Sequence, residues 1–312
     1  MLNPKQTKLK RFTVLGLLPV LILAGCSAAP DASFLSLVGS GASLKPLAVV
    51  TSSATCPAGE QLLGGGYTAL VSQGDMVSVT EDYPSSANTW TVTAVTGTQI
   101  SGELLAVAYC FTTPNVQLSL LAVSQNTTSS PISILAATAT GMAGCPAGSV
   151  LTGGGFRVQG LPQGDFIHNS YVTATGPAPN GASPPSGWQT KLLYPVRTAP
   201  TATVFALCAR NYLAPGTTVN QTFTQLNTLK GTVACAANAF TSGGGYSLAE
   251  DTSEGGTLPY TVYSSFSDTQ SALTSAPGMK LNAYQAIGWR SDLTSHYAWP
   301  LTMSANCIPF PR

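Results

Sequence analysis

Short runs that partly alternate between hydrophobic and polar residues recur along most of the chain. Stretches such as "LAVVTSSATC" (47–56), "WTVTAV" (90–95) and "ATVFALC" (202–208) are rich in Val, Thr and aromatic residues. This composition and spacing are typical of β-strands with one buried face. Outside the first 26 residues, no window has the apolar spacing of an amphipathic helix. The pattern therefore predicts an all-β protein.

The runs belong to a threefold repeat. Each copy opens with a cysteine, places three glycines at the eighth to tenth positions after it, and follows them with an aromatic ring. Successive opening cysteines are 89 and 90 residues apart, and each copy continues to a tryptophan and a second cysteine. We place the units at about 47–125, 132–215 and 222–312 and expect each to form a sheet of roughly four strands. The opening segments are "CPAGEQLLGGGY" (56–67), "CPAGSVLTGGGF" (145–156) and "CAANAFTSGGGY" (235–246).

The first 25 residues are predicted to be a signal peptide. A basic segment with Lys5 and Arg11 precedes an apolar segment, Phe12 to Leu23, that is too short for an ordinary transmembrane helix. The sequence Leu23-Ala24-Gly25-Cys26 resembles the bacterial lipobox. That resemblance implies cleavage before Cys26 and acylation of its thiol, so residues 26–46 would form a lipid anchor and tether. Several acyl chains on one residue anchor a protein stably.

The lipobox also implies a location. The protein would face outward from a bacterial membrane, and Ser27 lacks the Asp that retains enterobacterial lipoproteins in the inner membrane. If an outer membrane is present, we expect the protein there. After cleavage, nine Lys and Arg face twelve Asp and Glu. That balance disfavours nucleic acid as a partner, because binding a phosphate backbone needs a concentrated basic face.

Six cysteines remain once Cys26 is assigned to lipid. Six cysteines allow fifteen connectivities, but the repeat and an oxidising compartment favour one disulfide within each unit. No C-x-x-C pair is present and the two histidines are far apart, so we expect no metal site and no cofactor. The predicted pairs are Cys56 with Cys110, Cys145 with Cys208, and Cys235 with Cys307.

The glycine triplets are predicted to be structural. Glycine inside a strand marks a bulge, a bend or a close approach of another backbone. We therefore expect each strand to bend where three sheets meet. The repeat plan over Leu47 to Arg312 resembles the β-prism of the vitelline membrane outer layer proteins, which implies three antiparallel Greek-key sheets in one pseudo-threefold domain. Three tandem β-sandwiches are the alternative.

Length varies between the glycines and the tryptophan of each unit. We expect loops there, including Gly176 to Gly187 and Ser264 to Gly278, and inserts in repeat proteins often form the binding face. Six aromatic residues fall in or beside these stretches and suit sugars, which offer both apolar C–H faces and hydroxyls. These candidate binding residues are Tyr83, Tyr171, Tyr260, Tyr263, Phe266 and Tyr284.

The sequence contains only incomplete sets of candidate catalytic residues. Asp165 lies near His168, and Asp292 lies near His296, without a nucleophile motif. In adjacent pairs such as Glu81-Asp82, the two side chains would point to opposite faces of a strand. We therefore predict a non-catalytic, lipid-anchored surface protein, structural or adhesive, that contacts a glycan or a surface protein. A cell-envelope polysaccharide hydrolase is the alternative, and a coat protein without a ligand is a third interpretation.

Overall fold

Twenty β-strands make up the regular structure of the described part of the chain. The computed structural model describes residues 33–71, 77–112, 119–126, 128–131, 136–160, 171–177, 187–195, 200–210, 217–224, 227–236, 239–248, 261–268, 288–295 and 300–309. Within those ranges the chain forms strands and turns and no helix, so the all-β prediction is confirmed.

The strands are numbered in chain order. The chain up to residue 126 contributes β1 (Ser33–Val38), β2 (Ala42–Ser43), β3 (Val49–Thr55), β4 (Gln61–Val71), β5 (Val77–Pro84), β6 (Thr89–Thr96), β7 (Gly102–Thr112) and β8 (Ser119–Asn126). The middle third contributes β9 (Thr128–Pro131), β10 (Ala136–Gly144), β11 (Ser149–Gln159), β12 (Tyr171–Pro177), β13 (Gly187–Pro195) and β14 (Thr201–Arg210). The last third contributes β15 (Thr217–Thr224), β16 (Asn227–Ala234), β17 (Ala239–Leu248), β18 (Thr261–Asp268), β19 (Gly288–Ser295) and β20 (Pro300–Pro309).

These strands pair into three antiparallel sheets, which confirms the predicted fold class. Sheet A has the order β1-β7-β4-β18-β19-β16, and β2 also pairs with β7. Sheet B has the order β3-β6-β5-β11-β14-β8, and sheet C has the order β15-β20-β17-β12-β13-β10-β9. From Ala32 onward the chain forms one compact unit, so the alternative of three tandem sandwiches is excluded.

Each sheet combines strands from two repeat units. The glycine-bearing strands β4, β11 and β17 pair on one side with the closing strand of their own unit, β7, β14 or β20. On the other side they pair with a strand from a different unit: β4 with β18, β11 with β5, and β17 with β12. Our expectation of one sheet per unit was therefore wrong. Because the units exchange strands, no unit can complete a sheet alone.

The first glycine of each triplet lies where the three units meet. A Cβ atom on Gly153 would lie 2.8 Å from the carbonyl oxygen of Leu63, and one on Gly243 would lie 3.2 Å from that of Thr152. A Cβ on Gly64 would collide with the carbonyl oxygen of Ser242. Each first glycine thus abuts the residue that precedes the triplet of another unit, and the contacts close into a ring.

The second and third glycines leave room for an indole ring or for the backbone of another strand. Side chains at Gly65 and Gly154 would collide with the indoles of Trp90 and Trp188, which are almost completely buried. Side chains at Gly155 and Gly245 would collide with backbone carbonyl oxygens of the strand from the other unit, at Asp82 and Thr175. The register also shifts just before each triplet, for example between Leu151 and Gly153. The predicted irregularity and close backbone approach are both observed.

Three disulfides close the units. The bonds are Cys56–Cys110, Cys145–Cys208 and Cys235–Cys307, the pairs that the sequence analysis favoured. The Cα atoms of each pair are 5.6 Å apart. The rings that follow the glycines, Tyr67, Phe156 and Tyr246, are buried between the sheets. The core therefore lies inside the prism, and each disulfide ties an opening segment to the closing strand of its unit.

Two segments that the sequence analysis assigned to a loop and to the tether form strands. Ser264 to Asp268 belong to β18, so the prediction of a loop there was wrong for these residues. The strand was missed because a register shift between Val262 and Ser264 breaks its alternation. Part of the segment assigned to the tether forms β1 and β2, both paired with β7. Residues 178–186 and 269–278, within the predicted inserts, lie outside the described residues.

We predict that Gly64→Ala destabilises the fold, because the new methyl group would collide with the Ser242 carbonyl at the junction of the units. Overpacking of this kind costs about 1 to 3 kcal/mol. Gly41→Ala is the matched control, since its methyl would meet only the flexible side chain of Glu103 and then the Leu105 side chain. Urea unfolding of the oxidised protein measures both variants. Equal unfolding free energies for the two variants would contradict the close approach of the backbones at Gly64.

Candidate binding face

The buried tryptophans of sheets B and C donate their indole N–H hydrogen bonds to different kinds of acceptor. A buried indole N–H needs an acceptor. Trp90 Nε1 donates to Asp82 Oδ1 at 2.6 Å, whereas Trp188 Nε1 donates to Thr175 Oγ1 at 3.0 Å. Asp82 and Thr175 hold the same register position in β5 and β12. A hydroxyl is therefore sufficient for the fold at this position, and the carboxyl of Asp82 is a peculiarity of the first unit.

Asp82 lies in a polar cluster inside the prism. Burial raises the pKa of its carboxyl to about 7, although the hydrogen bond from Trp90 acts to lower that pKa. The hydroxyls of Tyr67 and Tyr246 are hydrogen-bonded to each other, and the pKa of each is raised, mainly by burial. Asp82 contributes electrostatically to both shifts. Burial therefore favours the protonated form of the Asp82 carboxyl.

Glu81 lies on the opposite face of the same strand. Its carboxylate accepts a hydrogen bond from Thr93 Oγ1 at 2.6 Å and is partly exposed, while Asp82 is buried. The two carboxyl groups therefore do not face a common substrate, in agreement with the strand geometry expected from the sequence. Within the described ranges, no three Cys, His, Asp or Glu side chains come together in a group that could hold a metal ion.

Two aromatic rings stack on the outer face of sheet B. Tyr83 of β5 and Phe205 of β14 have ring centroids 5.0 Å apart with an angle of 29° between the ring planes. The strand between them, β11, carries Gly155 opposite Phe205. Because this glycine has no side chain, the two rings can meet above it. The result is a partly exposed aromatic surface in the middle of a six-stranded sheet.

Arg157 adds a planar cation to this surface. Its guanidinium carbon lies 5.5 Å from the centroid of the Tyr83 ring and 5.9 Å from that of Phe205, within cation–π distance. Its Nε is buried and has no hydrogen-bond partner among the residues that the structure describes. Glu81 is directly opposite Arg157 in the antiparallel register. The surface therefore combines a donor, an acceptor and two rings.

Hydroxyl groups extend the surface toward the edge of sheet B. Thr51 of β3 is hydrogen-bonded to Thr93 of β6 at 3.1 Å, and Ser53 is hydrogen-bonded to Thr91 at 2.9 Å. Thr91 and Thr93 are in turn opposite Tyr83 and Glu81. We call this surface the binding face. It consists of Thr51, Ser53, Glu81, Tyr83, Thr91, Arg157 and Phe205, whereas Thr93, which is hydrogen-bonded to Thr51 and Glu81, is buried.

Only one predicted aromatic binding residue has a described side chain, and it lies on this face. Tyr83 belongs to β5, not to a loop. Tyr171, Tyr263 and Phe266 also lie in strands, β12 and β18, but their side chains lie outside what the structure describes. Tyr260 and Tyr284 lie outside the described residues, as do Cys26, Asp165, His168 and His296. Asp292 lies in β19, opposite Lys230 in the register, without a described side chain.

Sequence analysis missed Arg157, Phe205 and the outer-face role of Glu81. A signal was present, because Arg157 directly follows the aromatic ring of the glycine motif, where the other units have Thr68 and Ser247. A residue that differs from its equivalents in the other units is one that the framework does not require.

Comparisons with protein-family models and with curated proteins found no match. In the portion of the chain described, there is no helix long and apolar enough to cross a membrane. The assignment of a function therefore rests on the residues and their geometry.

We predict that the unfolding free energy falls as the pH rises, because of Asp82. Its folded pKa, about 7, exceeds the ordinary value of 3.8, so the folded state binds the proton more tightly. The stabilisation is complete below about pH 4 and is lost as the pH rises through about 7. Between pH 5 and pH 8 the expected loss is roughly 2 to 3 kcal/mol.

Asp82→Asn keeps an oxygen acceptor for Trp90 and cannot ionise, so this variant should lack that part of the pH dependence. Asp82→Thr, which copies Thr175, is the second control. Urea unfolding at several pH values measures the effect. A pH dependence equally steep in the wild-type protein and in both variants would contradict the role assigned to Asp82.

Proposed function

We propose that the chain is a non-catalytic, lipid-anchored protein of the bacterial cell surface that adheres to glycans. The observation that carries the proposal is the binding face, where aromatic rings, a guanidinium and a carboxylate lie beside rows of hydroxyls. Sugar recognition uses these groups, because pyranose rings offer apolar C–H faces to aromatic rings and hydroxyls to polar side chains.

The lipobox supports the surface location. A diacylated or triacylated Cys26 would hold the prism at a membrane. Three disulfides support an oxidising environment outside the cytoplasm. The anchor and the disulfides therefore agree on an exported protein.

The hydrolase alternative has less support. Glycosidases use two carboxyl groups on either side of one glycosidic bond. Glu81 and Asp82 lie on opposite faces of β5, and the carboxyl of Asp82 is buried. This arrangement favours binding over hydrolysis at the described cluster.

Acylation is tested with Cys26→Ser in the full-length chain. The wild-type protein should incorporate radiolabelled palmitate and sediment with membranes. The variant should incorporate no label, because its residue 26 has no thiol to modify, and should not be processed at this site. Continued labelling of Cys26→Ser would contradict the anchor.

Adhesion is tested by applying the mature protein, in detergent and with intact disulfides, to an array of bacterial and host glycans. Saturable binding without release of reducing sugar is the expected result. Release of reducing sugar would support the hydrolase instead. An absence of binding by the correctly folded protein would overturn the glycan-binding proposal and favour a protein partner or a coat.

A further inference from the structure

The repeat allows the binding face to be compared with an equivalent surface in the same molecule. Sheet C uses the same strand pairing, with β12, β17 and β20 in the places of β5, β11 and β14. At the positions of Glu81, Tyr83, Arg157 and Phe205, sheet C has Ala174, Gly176, Ser247 and Ser304. Because sheet C forms without the four larger side chains, the framework does not require them. Their presence on sheet B points to a ligand.

The charges on the binding face indicate the class of that ligand. Glu81 and Arg157 are directly opposed in the register, so the face carries one negative and one positive charge. An anionic sugar would be attracted by the guanidinium and repelled by the neighbouring carboxylate. A neutral sugar would avoid this repulsion, since each of its hydroxyls can both donate and accept a hydrogen bond.

The hydrogen-bonding groups suit adjacent hydroxyls. Arg157 only donates hydrogen bonds, and an ionised Glu81 only accepts them. Two neighbouring hydroxyls of a pyranose can accept from the first and donate to the second. The stacked rings of Tyr83 and Phe205 lie beside this pair and supply an apolar surface for the C–H groups of the sugar.

The threonine and serine rows indicate a ligand longer than one sugar. Thr51 and Ser53 are exposed, and their hydroxyls continue the polar surface across β3 and β6. Adjacent strands are about 4.8 Å apart, so the surface from β3 to β14 spans several strand widths. A single sugar ring would cover only part of it.

We propose that the binding face recognises a neutral pyranose chain and discriminates against uronic-acid polymers. This inference rests on the proposed glycan-binding function and adds the site and the charge class of the ligand. Tyr83 and Phe205 form the platform for one sugar ring. Arg157 and Glu81 form hydrogen bonds with two adjacent hydroxyls of that ring. The exposed hydroxyls of Thr51 and Ser53 contact the neighbouring sugars.

The experiment uses the mature protein in detergent and calorimetric titration with neutral hexasaccharides, namely the cello-, malto-, manno- and xylo-series, and with oligogalacturonate. The test variants Phe205→Ser, Arg157→Ser and Glu81→Ala copy sheet C, which has these residues at the equivalent positions. Arg157→Lys keeps the charge and removes the planar fork. Met142→Ala is the control, because Met142 is exposed on β10 of sheet C, at the register position of Ser53.

The wild-type protein and Met142→Ala should bind at least one neutral hexasaccharide with the same affinity and should not bind oligogalacturonate. Phe205→Ser and both Arg157 variants should weaken that binding about tenfold or more. Glu81→Ala should weaken binding of the neutral sugar and allow binding of oligogalacturonate, because the repulsive carboxylate is gone.

Preference of the wild-type protein for oligogalacturonate would overturn the charge class. Neutral-sugar binding that none of the sheet B variants changes would overturn the site. Either result would leave the proposed glycan binding intact. No binding of any glycan, on the array or in titration, would overturn both the inference and the glycan-binding function.

Discussion

The fold depends on a close approach of three backbones that only glycine permits. At the junction of the units, Gly64, Gly153 and Gly243 each abut a backbone carbonyl from another unit. Gly65 and Gly154 then leave room for an indole ring, and Gly155 and Gly245 leave room for the neighbouring strand. A side chain at any of these positions would collide with its neighbour, so these glycines set the packing distance at which the units exchange strands.

Strand exchange makes the repeat units interdependent. In each sheet, one half comes from the glycine strand and closing strand of one unit, and the other half from a different unit. The hydrophobic core is therefore shared. The disulfides and most of the hydrogen-bond ladders act within units, and the ladders β4–β18, β11–β5 and β17–β12 join one unit to another. These three ladders hold the three similar segments together as one domain.

The similarity of the repeat units also distinguishes residues that the fold requires from residues that it does not require. The indole of Trp188 needs only the hydroxyl of Thr175, whereas Trp90 uses the carboxyl of Asp82. The outer surface of sheet C contains glycine and serine at positions where sheet B has Tyr83 and Phe205. Differences of this kind between sheets B and C mark the proposed binding face, because sheet C has the same strand pairing without these side chains.

Much of the framework could be predicted from the sequence, because its causes are local. Alternation predicted strands, the spacing of cysteines predicted the disulfides, and the triplets predicted a close approach of backbones. The exchange of strands could not be predicted, since alternation defines the faces of a strand and not its partners. Strands β5, β12 and β18 were obscured because each contains an irregularity, such as the one between Val79 and Glu81. Of the binding face, only Tyr83 was anticipated, since Arg157 and Phe205 meet it only through pairing between units.

The exchange of strands is the claim from which the core and the binding face both follow. Nuclear Overhauser effects between backbone protons of the paired strands in the isotopically labelled protein would test it most directly. The structure requires contacts between Asp82 and Phe156, between Thr175 and Tyr246, and between Ser265 and Tyr67, each joining two units. Observation of these three contacts is the expected result. Interstrand contacts confined to residues of the same unit would contradict the prism and the binding face that it creates.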